Sequence, residues 1–424
     1  MQATIEGGAL AKHDQSQTIS AKHRPALFVA ACLIAVSALA ACGNSPAATT
    51  DPIPAVDVEK IDAGNYPTKP IDPASLGDAT GPRVIEAERL ADQIPLPTDI
   101  FPELNFSYGY DKVRIFTKPD AFTISRVLNL TPEEFSAATP RFITGFRSSA
   151  RSDKNLRLSY EVENLVMLFS DDQAAKNAAI ELGKDKPGSE PDKYLDTSIA
   201  KYPDARVFWS PEYSTLHSTA ASGRFVIYTY VSDRLAQEIS TPNLSSMAQK
   251  AERSIEVIGS RLSSFVPTPQ DKLDSLPRDV DGILGMTVPA ANNSAVYPIE
   301  PAAYRVPGAL HVSNRINEDK KLFDELGVDL VAYNGGFLYR TRDSEAAAEL
   351  VENRSTLGKL YTLTASPPGL PASKCYEYQG TSTSIVRFEC SIASGRYAAT
   401  ISANQLADAH QRVSAQYLMM TTGK

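Results

Sequence analysis

Four cysteines are the side chains whose type and position most directly indicate chemistry: Cys32, Cys42, Cys375 and Cys390. A thiol can be lipidated, can ligate a metal ion or can be oxidised to a disulfide, and its surroundings favour one of these outcomes. Cys32 lies inside an apolar run and Cys42 directly follows that run, whereas the other two cysteines lie in one polar segment far along the chain. The cysteines therefore divide into an N-terminal group and an internal pair.

The residues before Cys42 predict a lipoprotein signal peptide over residues 1–41. Basic residues at 22–24 precede an apolar run over 26–41, which is shorter than the roughly 20 residues that a membrane-spanning helix needs. The tetrapeptide LAAC at 39–42 resembles a bacterial lipobox, in which the thiol receives a diacylglyceryl group and a peptidase cuts before the cysteine. We therefore expect lipidation of Cys42 and residence at the outer face of the plasma membrane. An uncut anchor helix and a plain secretory signal are the alternatives.

The internal cysteines enclose a segment that reads as a β-hairpin, CYEYQGTSTSIVRFEC. The segment is symmetric about its centre, which predicts a cross-strand disulfide. Closing a loop of about 15 residues stabilises a fold by about 3 kcal/mol in the chain-entropy model. Two free thiols are the alternative. The expected opposite pairs are Cys375–Cys390, Tyr376–Glu389 and Tyr378–Arg387.

The three histidines that follow Cys42 form no catalytic or metal-binding pattern. They are His217, His311 and His410, and no two of them have a metal-ligand spacing. The chain also lacks HExxH, GxSxG, Walker and GxGxxG motifs. The apolar surroundings of His410 predict a packed helix residue. The sequence therefore predicts no metal site, no cofactor and no catalytic residue.

Two weaker patterns also admit simpler interpretations. Ser198 and Lys201 match the SxxK core of serine acyl-enzymes, but no KTG or SDN element accompanies them. Asp171 and Asp172 are expected at a helix N-terminus, where the helix dipole favours negative charge. A hydrolase that uses paired carboxylates stays open as an alternative, although nothing in the sequence selects one pair.

Composition and charge limit the class of protein and its partners. The 424 residues are 42% hydrophobic and 22% charged, which is typical of a globular protein with room for two domains. The formal net charge of −8 argues against nucleic-acid binding and against docking on anionic lipids by charge alone.

The pattern along the chain divides the protein into four segments. Residues 1–41 form the signal peptide, and residues 42–82, rich in Pro, Ala and Thr, are expected to form a flexible tether that holds the folded body away from the bilayer. The folded body then consists of an N-terminal lobe over 83–269 and a C-terminal lobe over 270–424. Prolines and charges between residues 265 and 279 mark the boundary between the lobes.

The two lobes contain the same landmarks in the same order. Asp172 matches Asp343 at a spacing of 171, and the ASGR tetrapeptide at 221–224 returns at 393–396, a spacing of 172. A strand and an amphipathic helix follow each ASGR, although short β-α segments can look alike by chance. We therefore predict two tandem, duplicated α+β lobes, each an antiparallel sheet with helices packed on one face. The expected module is strand, helix, two or three antiparallel strands and helix.

The repeated ASGR is interpreted as a turn before a core strand. Gly223 and Gly395 would take the tight turn conformation, and the arginines Arg224 and Arg396 would point outward. A duplicated binding arginine is the alternative.

Aromatic residues cluster in the late strands of the N-terminal lobe: Phe208, Trp209, Tyr213, Phe225, Tyr228 and Tyr230. One face of the strand at 224–231 must pack against helices, and the other could line a ligand cleft between the lobes. The simpler interpretation is that these rings belong to the core.

The chain resembles a family of two-lobed, functionally uncharacterised lipoproteins of mycobacteria, nocardiae and rhodococci. The resemblance spans nearly the whole chain after the signal peptide. Its carrying segments are LAAC at 39–42, KIDAGNYPTKP at 60–70, EAERLADQIPLPTDIFPEL at 86–104, LVMLFSDDQAAKNAA at 165–179 and FVPTP at 265–269. It implies an envelope lipoprotein and supplies no catalytic residue to carry over.

These observations favour a non-enzymatic envelope lipoprotein that binds a small molecule, a lipid or a protein partner beside the membrane. An envelope hydrolase and a structural or assembly protein are the alternatives. A pocket between the lobes with convergent polar groups would favour a ligand or a reaction, and a closed seam would favour the structural role.

Overall fold

The chain forms two antiparallel seven-stranded sheets, one in each of two tandem lobes. The computed structural model describes residues 55–107, 114–118, 127–289, 301–382 and 385–423. The predicted α+β class with two tandem antiparallel lobes is confirmed. The predicted signal peptide and Cys42 lie outside the described residues. No helix in the described ranges is both long and apolar enough to cross a bilayer.

Long central strands form the N-terminal lobe. Its elements are α1 (Pro82–Ala91), α2 (Pro97–Ile100), β1 (Ile115–Phe116), α3 (Pro132–Ala138), β2 (Phe142–Arg151), β3 (Tyr160–Phe169), α4 (Asp172–Leu182), β4 (Leu195–Ile199), β5 (Tyr202–Ser210), β6 (Thr215–Ser222), β7 (Phe225–Asp233), α5 (Arg234–Glu238) and α6 (Leu244–Leu262). The sheet order is β1-β2-β3-β7-β6-β5-β4.

Shorter strands form the C-terminal lobe. Its elements are β8 (Ala302–Arg305), α7 (Val306–Leu310), α8 (Ile316–Leu326), β9 (Leu330–Tyr333), β10 (Gly336–Arg340), α9 (Ser344–Arg354), β11 (Tyr361–Thr364), β12 (Lys374–Tyr378), β13 (Phe388–Ser394), β14 (Tyr397–Ala403) and α10 (Leu406–Thr422). The order from the β8 edge is β8-β9-β10-β14-β13-β12-β11. Short 3₁₀ helices lie at Val58–Lys60, Pro73–Thr80, Leu156–Leu158, Pro191–Lys193 and Gln270–Ser275.

The two lobes share one strand order, and the three central strands of each sheet share one register. Met167 pairs with Val226 in the first sheet, and the residues 172 positions later, Tyr339 and Ala398, pair in the second. Four strands follow the first helix of each module, rather than the predicted two or three, because an edge strand (β4 or β11) joins the three expected ones. The shared order supports the predicted duplication.

The helix caps correct the predicted alignment by one residue. Asp171 caps α4 by accepting the Ala174 N–H (2.8 Å), and Asp343 caps α9 by accepting the Ala346 N–H (2.9 Å). The partner of Asp343 is therefore Asp171, not Asp172, because the cap requires a carboxylate three residues before the bonded amide. The cap spacing then becomes 172, the same as that of the ASGR repeat.

Helices cover both faces of each sheet, which differs from the predicted packing on one face. In the first sheet, Tyr228 lies in the core that contains α4, whereas Ile227 lies in the core that contains α6. In the second sheet, Ala398 packs in the core with α9, and Ala399 packs in the core with α10. The reason is that the central strands are apolar at successive positions, so both of their sides must be removed from water.

The predicted hairpin and its disulfide are confirmed. Cys375 lies opposite Cys390, and the two are bonded. The neighbouring predicted pairs are also in register, since Tyr376 lies opposite Glu389 and the Tyr378 N–H donates to the Arg387 carbonyl (2.7 Å). Both cysteines are fully buried in the core that contains α10.

The repeated ASGR forms a turn in both lobes, as expected. Gly223 and Gly395 both have φ of +55°, a left-handed conformation that glycine adopts without steric cost. The Arg396 side chain is exposed, and its Nε donates to the Thr341 carbonyl (2.8 Å). The arginine therefore links the turn to the residue that follows β10.

Residues 55–72, which we call the strap, lie across the C-terminal lobe. The Asp57 N–H donates to the Gly369 carbonyl (2.9 Å), and the Ile71 N–H donates to the Gly285 carbonyl (2.8 Å). Between them, the Tyr66 hydroxyl donates to Asp408 on α10. The predicted flexible tether over 42–82 is thus too long, because apolar and hydrogen-bonding residues after position 54 attach to the folded body.

The seam between the lobes is closed. The described residues from position 55 onward form one compact unit, and a single hydrophobic core contains side chains of α1, α6, β8 and α8. At its centre the Phe146 ring of β2 contacts the rings of Tyr304 (6.4 Å) and His311 (5.2 Å) from the C-terminal lobe. The described residues therefore do not form the predicted ligand cleft between the lobes, because α1 fills that position against both β2 and β8.

Candidate functional site

The ionisable groups of the seam act as hydrogen-bond partners between the lobes. Glu88 accepts the Ala303 N–H (3.0 Å), and Asp92 accepts the Gly308 N–H (3.1 Å). Burial raises the pKa of Glu88 well above its usual range and that of Asp92 to about 6. Both hydrogen bonds join α1 and the residue after it to the C-terminal lobe. The raised pKa values of these two carboxyls are therefore explained by their structural role in the seam.

His311 has the same kind of role. Its Nδ1 lies 3.0 Å from the Ser148 hydroxyl, and its Nε2 lies 3.2 Å from the Ile94 carbonyl oxygen. Burial, followed by the nearby Arg114 charge, lowers the pKa of His311 to about 3, so the ring is neutral at pH 7. Both ring nitrogens are therefore engaged in the seam.

The remaining residues singled out from sequence lie apart from one another. The Nε2 of His410, which is only partly buried, lies 2.8 Å from the Ala365 carbonyl oxygen. Ser198 is exposed on the edge strand β4, and Lys201 forms an ion pair with Glu256 (2.8 Å). The residues of the SxxK match are therefore not arranged around a base that could activate Ser198. In the described part of the chain, no three His, Cys, Asp or Glu side chains are placed to hold a metal ion.

One face of the first sheet holds a buried polar cluster, which we call the polar face. It consists of Arg147, Glu163, Thr215, His217, Tyr228 and Tyr230. The register places them on one side of β2, β3, β7 and β6: Glu163 and His217 lie opposite Tyr230 from its two neighbouring strands. The same side is apolar further along the sheet, where α3 and α4 cover it. One side of the sheet is therefore polar at the polar face and apolar further along the strands.

An ion pair lies at one end of the polar face. Arg147 donates from Nη2 to Oε2 of Glu163, and the two residues are only 3% and 4% exposed. Arg114 lies close by and donates to the Ser149 hydroxyl (2.7 Å). A buried ion pair of this kind adds little net stability over apolar residues, because removing two charges from water offsets their attraction.

His217 lies at the other end. Its Nδ1 is 2.6 Å from the Tyr228 hydroxyl, which is also 3.3 Å from the Val127 carbonyl oxygen. Burial lowers the pKa of His217 to about 3, so the ring is neutral at pH 7. The imidazole contacts the rings of Tyr194 (5.3 Å) and Tyr230 (4.9 Å). His217 is therefore a neutral histidine that packs against tyrosine rings.

The C-terminal lobe has no counterpart of this cluster among its described residues. With the shared spacing of 172, Glu163 corresponds to Gly335 and His217 corresponds to Glu389. Tyr230 corresponds to Ser402 in the same way. The common fold therefore does not require the polar face.

The aromatic part of this cluster is visible in the sequence, and the polar part is not. Tyr228 and Tyr230 stand out as aromatic residues on one face of a strand, and a ligand cleft between the lobes and the protein core were the two interpretations of these rings. Glu163 was not singled out, because it lies before the segment 165–179 in which a pattern was recognised. A usable signal was the alternation in β6, where Thr215, His217 and Thr219 all occupy one side of the strand.

Two open cavities lie near the start of α1. Their volumes are about 410 and 450 Å³, and both are lined by Arg83, Gln270 and Leu273. Arg141, which lines the first, is exposed and already pairs with Asp171 (3.0 Å). These cavities offer accessible surface, but their charged groups are satisfied or exposed, unlike those of the polar face.

Comparison with known proteins gives a family but no characterised relative. No curated protein sequence matches the chain, and no solved structure does. Residues 74–278 match the N-terminal domain of a family described as a domain of unknown function (DUF7373), and residues 283–422 match the C-terminal domain of the same family. The two matches follow the two lobes and together cover most of the chain. The chain therefore belongs to the two-lobed DUF7373 family.

Proposed function

We propose that this protein is a lipid-anchored, non-enzymatic protein of the cell envelope whose N-terminal lobe binds a ligand at the polar face. The observation that carries the binding role is the difference between the lobes. Both lobes close the same sheet, but only the first places Glu163, His217 and Tyr230 together in its interior. Since buried polar groups reduce stability, a cluster that the common fold does not need indicates a function.

The anchor follows from the lipobox and the strap. Only 12 residues, 43–54, separate Cys42 from the start of the strap, and they span about 45 Å at full extension. The strap attaches to the C-terminal lobe through Asp57, Tyr66 and Ile71. A lipid on Cys42 would therefore hold the C-terminal lobe close to the bilayer. The resemblance to mycobacterial, nocardial and rhodococcal lipoproteins supports this location at the outer face of the plasma membrane.

The non-enzymatic part of the proposal is supported by what the titratable groups do. Glu88, Asp92 and His311 have shifted pKa values, which is common at catalytic centres. Each of them is held by a hydrogen bond across the seam. The carboxylate Glu163 is paired with Arg147 rather than with a second acid.

The anchor is tested by fractionating bacteria that produce the full chain. The wild type should appear in the membrane fraction with a diacylglyceryl mass on its N-terminal cysteine. Cys42→Ala should abolish that mass and leave the protein unprocessed or released into the medium. Cys32→Ala is the matched control, because it changes a cysteine inside the apolar run that precedes Cys42 and should leave lipidation intact. Lipidation that persists in Cys42→Ala would overturn the anchor.

A structural or assembly role is the second candidate, and the closed seam favours it. Native mass spectrometry of the protein isolated from its own envelope separates the two roles. A small bound mass would support ligand binding, whereas a stoichiometric protein partner without such a mass would support assembly. The Cys42→Ala experiment is independent of this result, since both roles use the anchor.

A further inference from the structure

We infer that the outer edge of the C-terminal sheet contacts the membrane surface and inserts Val58, Leu360 and Leu363 between lipid headgroups. We call these three side chains, together with the strand β11, the β11 edge. The inference rests on the proposed lipid anchor, and it adds the surface of the lobe that meets the bilayer. It follows from the exposed apolar side chains of this lobe, the open edge strand beside them and the place where the strap begins.

Large aliphatic side chains are exposed at one edge of the C-terminal lobe. Within the strap and the described part of this lobe they are Val58, Leu360 and Leu363, which are 63%, 55% and 70% exposed. Leu363 lies in β11, and Leu360 directly precedes that strand. Val58 follows Asp57, whose N–H donates to the Gly369 carbonyl in the loop after β11. Single exposed leucines are common on protein surfaces, so the shared position of these side chains, not their number, carries the argument.

The strand β11 is an open edge of the second sheet. At the opposite edge, three of the four residues of β8 are buried, because α1 packs against that strand. Exposed edge strands can pair with other chains, and proteins usually protect them with charged residues. β11 instead exposes Leu363, with the half-buried Tyr361 two residues before it and the half-buried Tyr376 opposite it on β12. An apolar edge of this kind indicates that another surface covers it.

The strap begins at the β11 edge. Its first residues line an open cavity of about 410 Å³ together with the loop that follows β11. The apolar members of that lining are Ala55, Pro367, Pro368 and Pro371. The residues that join the strap to Cys42 therefore leave the folded body beside β11.

From this edge the strap follows α10 toward the far end of that helix. Near the start of α10, the Gln411 side chain donates to Asp62 (3.1 Å). At the end of α10, the Thr422 hydroxyl donates to the Thr68 carbonyl (3.3 Å). The β11 edge is therefore the part of the C-terminal lobe that the strap places closest along the chain to the proposed lipid.

The proposed anchor keeps this edge beside the bilayer. Residues 43–54 number 12, and a random coil of that length spans about 20 Å. A short tether raises the effective concentration of the attached surface at the membrane to the millimolar range. Because of this, an apolar contact that would be weak for a free protein forms readily, and a few aliphatic side chains are sufficient.

The charges near the β11 edge balance one another. Two ion pairs compensate the nearest carboxylates: Asp57–Lys60 (2.6 Å) and Glu377–Arg387 (2.6 Å). The exposed side chains of Glu59 and Lys359, which adjoin Val58 and Leu360, carry opposite charges. Lipid phosphates therefore do not repel this edge, and apolar insertion rather than charge drives the contact.

A phospholipid bilayer fits this edge better than a protein partner does. Tyr361 and Tyr376 flank Leu363 with side chains that have an apolar ring and a polar hydroxyl. Tyrosine is enriched at the headgroup level of membranes because it matches both environments. A protein partner would have to arrive by diffusion, whereas the proposed anchor holds the bilayer within reach at all times. We therefore assign the bilayer as the surface that covers the β11 edge.

The test uses the lipidated full chain in vesicles of phosphatidylcholine. Leu363→Cys is labelled with the environment-sensitive dye NBD, and quenching by lipids that carry a nitroxide near the headgroup is measured. The dye attaches only at the new thiol, because Cys375 and Cys390 are disulfide-bonded and Cys42 carries the lipid. Strong quenching and a blue-shifted emission are expected, and a label at Leu360→Cys should behave in the same way.

Leu195→Cys is the matched control. Leu195 is a half-exposed leucine on β4, which is the outer edge strand of the other sheet. It is remote from β11, because α1 packs against β1, β2 and β8 at the opposite edges of the two sheets. Its label should be quenched severalfold less than the label at Leu363. Equal quenching at the two positions would overturn the inference.

A further variant tests whether the leucines cause the contact. In a chain labelled at Val58→Cys, the double substitution Leu360→Thr/Leu363→Thr should lower the quenching severalfold, because the polar side chains no longer insert. Leu195→Thr should leave the quenching unchanged, and a thermal melt of each variant confirms that it is folded. Unchanged quenching in the double variant would contradict the inference.

The outcomes separate this inference from the proposed function. A chain that carries a lipid on Cys42 but shows no quenching at Leu360 and Leu363 would retain the anchor and lose the membrane contact. A blue-shifted label at Leu363 that lipid nitroxides do not quench would show that a protein, such as a second copy of the chain, covers the edge, and it would also refute the inference. A chain without the lipid mass would contradict the anchor and the orientation that depends on it.

Discussion

The two lobes have the same strand order, and the same register in their central strands, but they use their interiors differently. In the C-terminal lobe, β12 and β13 are joined by the Cys375–Cys390 disulfide within an apolar core. The corresponding strands of the N-terminal lobe, β5 and β6, place Val207 opposite Ser218 at that position. The N-terminal lobe also carries the polar face, which the C-terminal lobe lacks within its described residues. One copy is thus covalently reinforced, and the other holds a buried ion pair and a buried histidine on one side of its sheet.

This difference agrees with our proposal that the C-terminal lobe supports the fold and the N-terminal lobe binds a ligand. Buried polar groups without partners reduce stability, and a disulfide stabilises a fold by restricting the unfolded chain. The strap adds to the same division, since it attaches to the C-terminal lobe, the lobe that holds the disulfide. Substitutions in each lobe test this difference.

The largest effect is expected from breaking the buried ion pair of the N-terminal lobe. Arg147→Met leaves the Glu163 carboxylate buried without its cation, which typically costs about 3–5 kcal/mol. Urea unfolding should show this loss. The double variant Arg147→Met/Glu163→Leu removes both charges and should recover most of it, because the pair is hardly better than apolar residues. If the double variant were as unstable as the single one, the pair would not be the cause.

Removing the disulfide should affect the other lobe by a somewhat smaller amount. Cys375→Ala/Cys390→Ala should lower the free energy of unfolding by about 3 kcal/mol, because the unfolded chain gains the freedom of the opened loop. Urea unfolding followed by circular dichroism measures the change. Adding a reductant should destabilise the wild type and leave the double variant unaffected. An effect of reductant on the variant would point to another cause.

An engineered disulfide at the equivalent position should form in the N-terminal lobe and stabilise it. Val207→Cys/Ser218→Cys places two cysteines opposite each other at the position of the native pair, and a loop of this length is worth about 2–3 kcal/mol. Non-reducing mass spectrometry should find the two peptides linked, and the unfolding midpoint should rise. If the thiols stayed free, the structural equivalence of the two hairpins would be contradicted.

The polar face should also show in the pH dependence of stability. The pKa of His217 is lowered to about 3 in the folded state, whereas an unperturbed histidine titrates near about 6.5. As the pH falls below about 6.5, the unfolded chain takes up a proton that the folded chain does not, so the wild type loses about 1.4 kcal/mol per pH unit from this group. His217→Phe removes that loss.

The measured quantity is the difference in unfolding free energy between His217→Phe and the wild type. Going from about pH 6.5 to about pH 4.5, this difference should shift steadily in favour of the variant. His311, Glu88 and Asp92 also have shifted pKa values, but they are present in both chains and cancel. A difference that did not change with pH would mean that His217 titrates normally.

The smallest effect is expected from the strap. Tyr66→Phe removes the hydrogen bond to Asp408 and should cost about 1 kcal/mol. Hydrogen exchange of residues 55–72 should increase, while exchange of the central strands stays the same. Tyr202→Phe, which changes another partly buried tyrosine, is the control. Unchanged exchange in the strap would show that the hydrogen bond does not hold it.

The sequence was sufficient for features that depend on local spacing. The hairpin register of Cys375 and Cys390, the turn at Gly223 and the cap at Asp171 each follow from residues no more than 15 positions apart. Periodicity and the repeated ASGR likewise predicted two tandem α+β lobes, because a duplicated module keeps its order and spacing. Lipidation of Cys42 stays a prediction from a local motif.

Other features depended on which helix or strand packs against each side of a strand. The alternation of β7 shows that Tyr228 and Ile227 point to opposite sides, but only the packing of α4 and α6 shows that both sides are covered. The closed seam required α1 to lie against both lobes. The polar face required three strands to bring Glu163, Tyr230 and His217 into one row, and residues more than 50 positions apart meet there through sheet pairing. Long-range pairing is a property of the whole fold, so local pattern could not predict it.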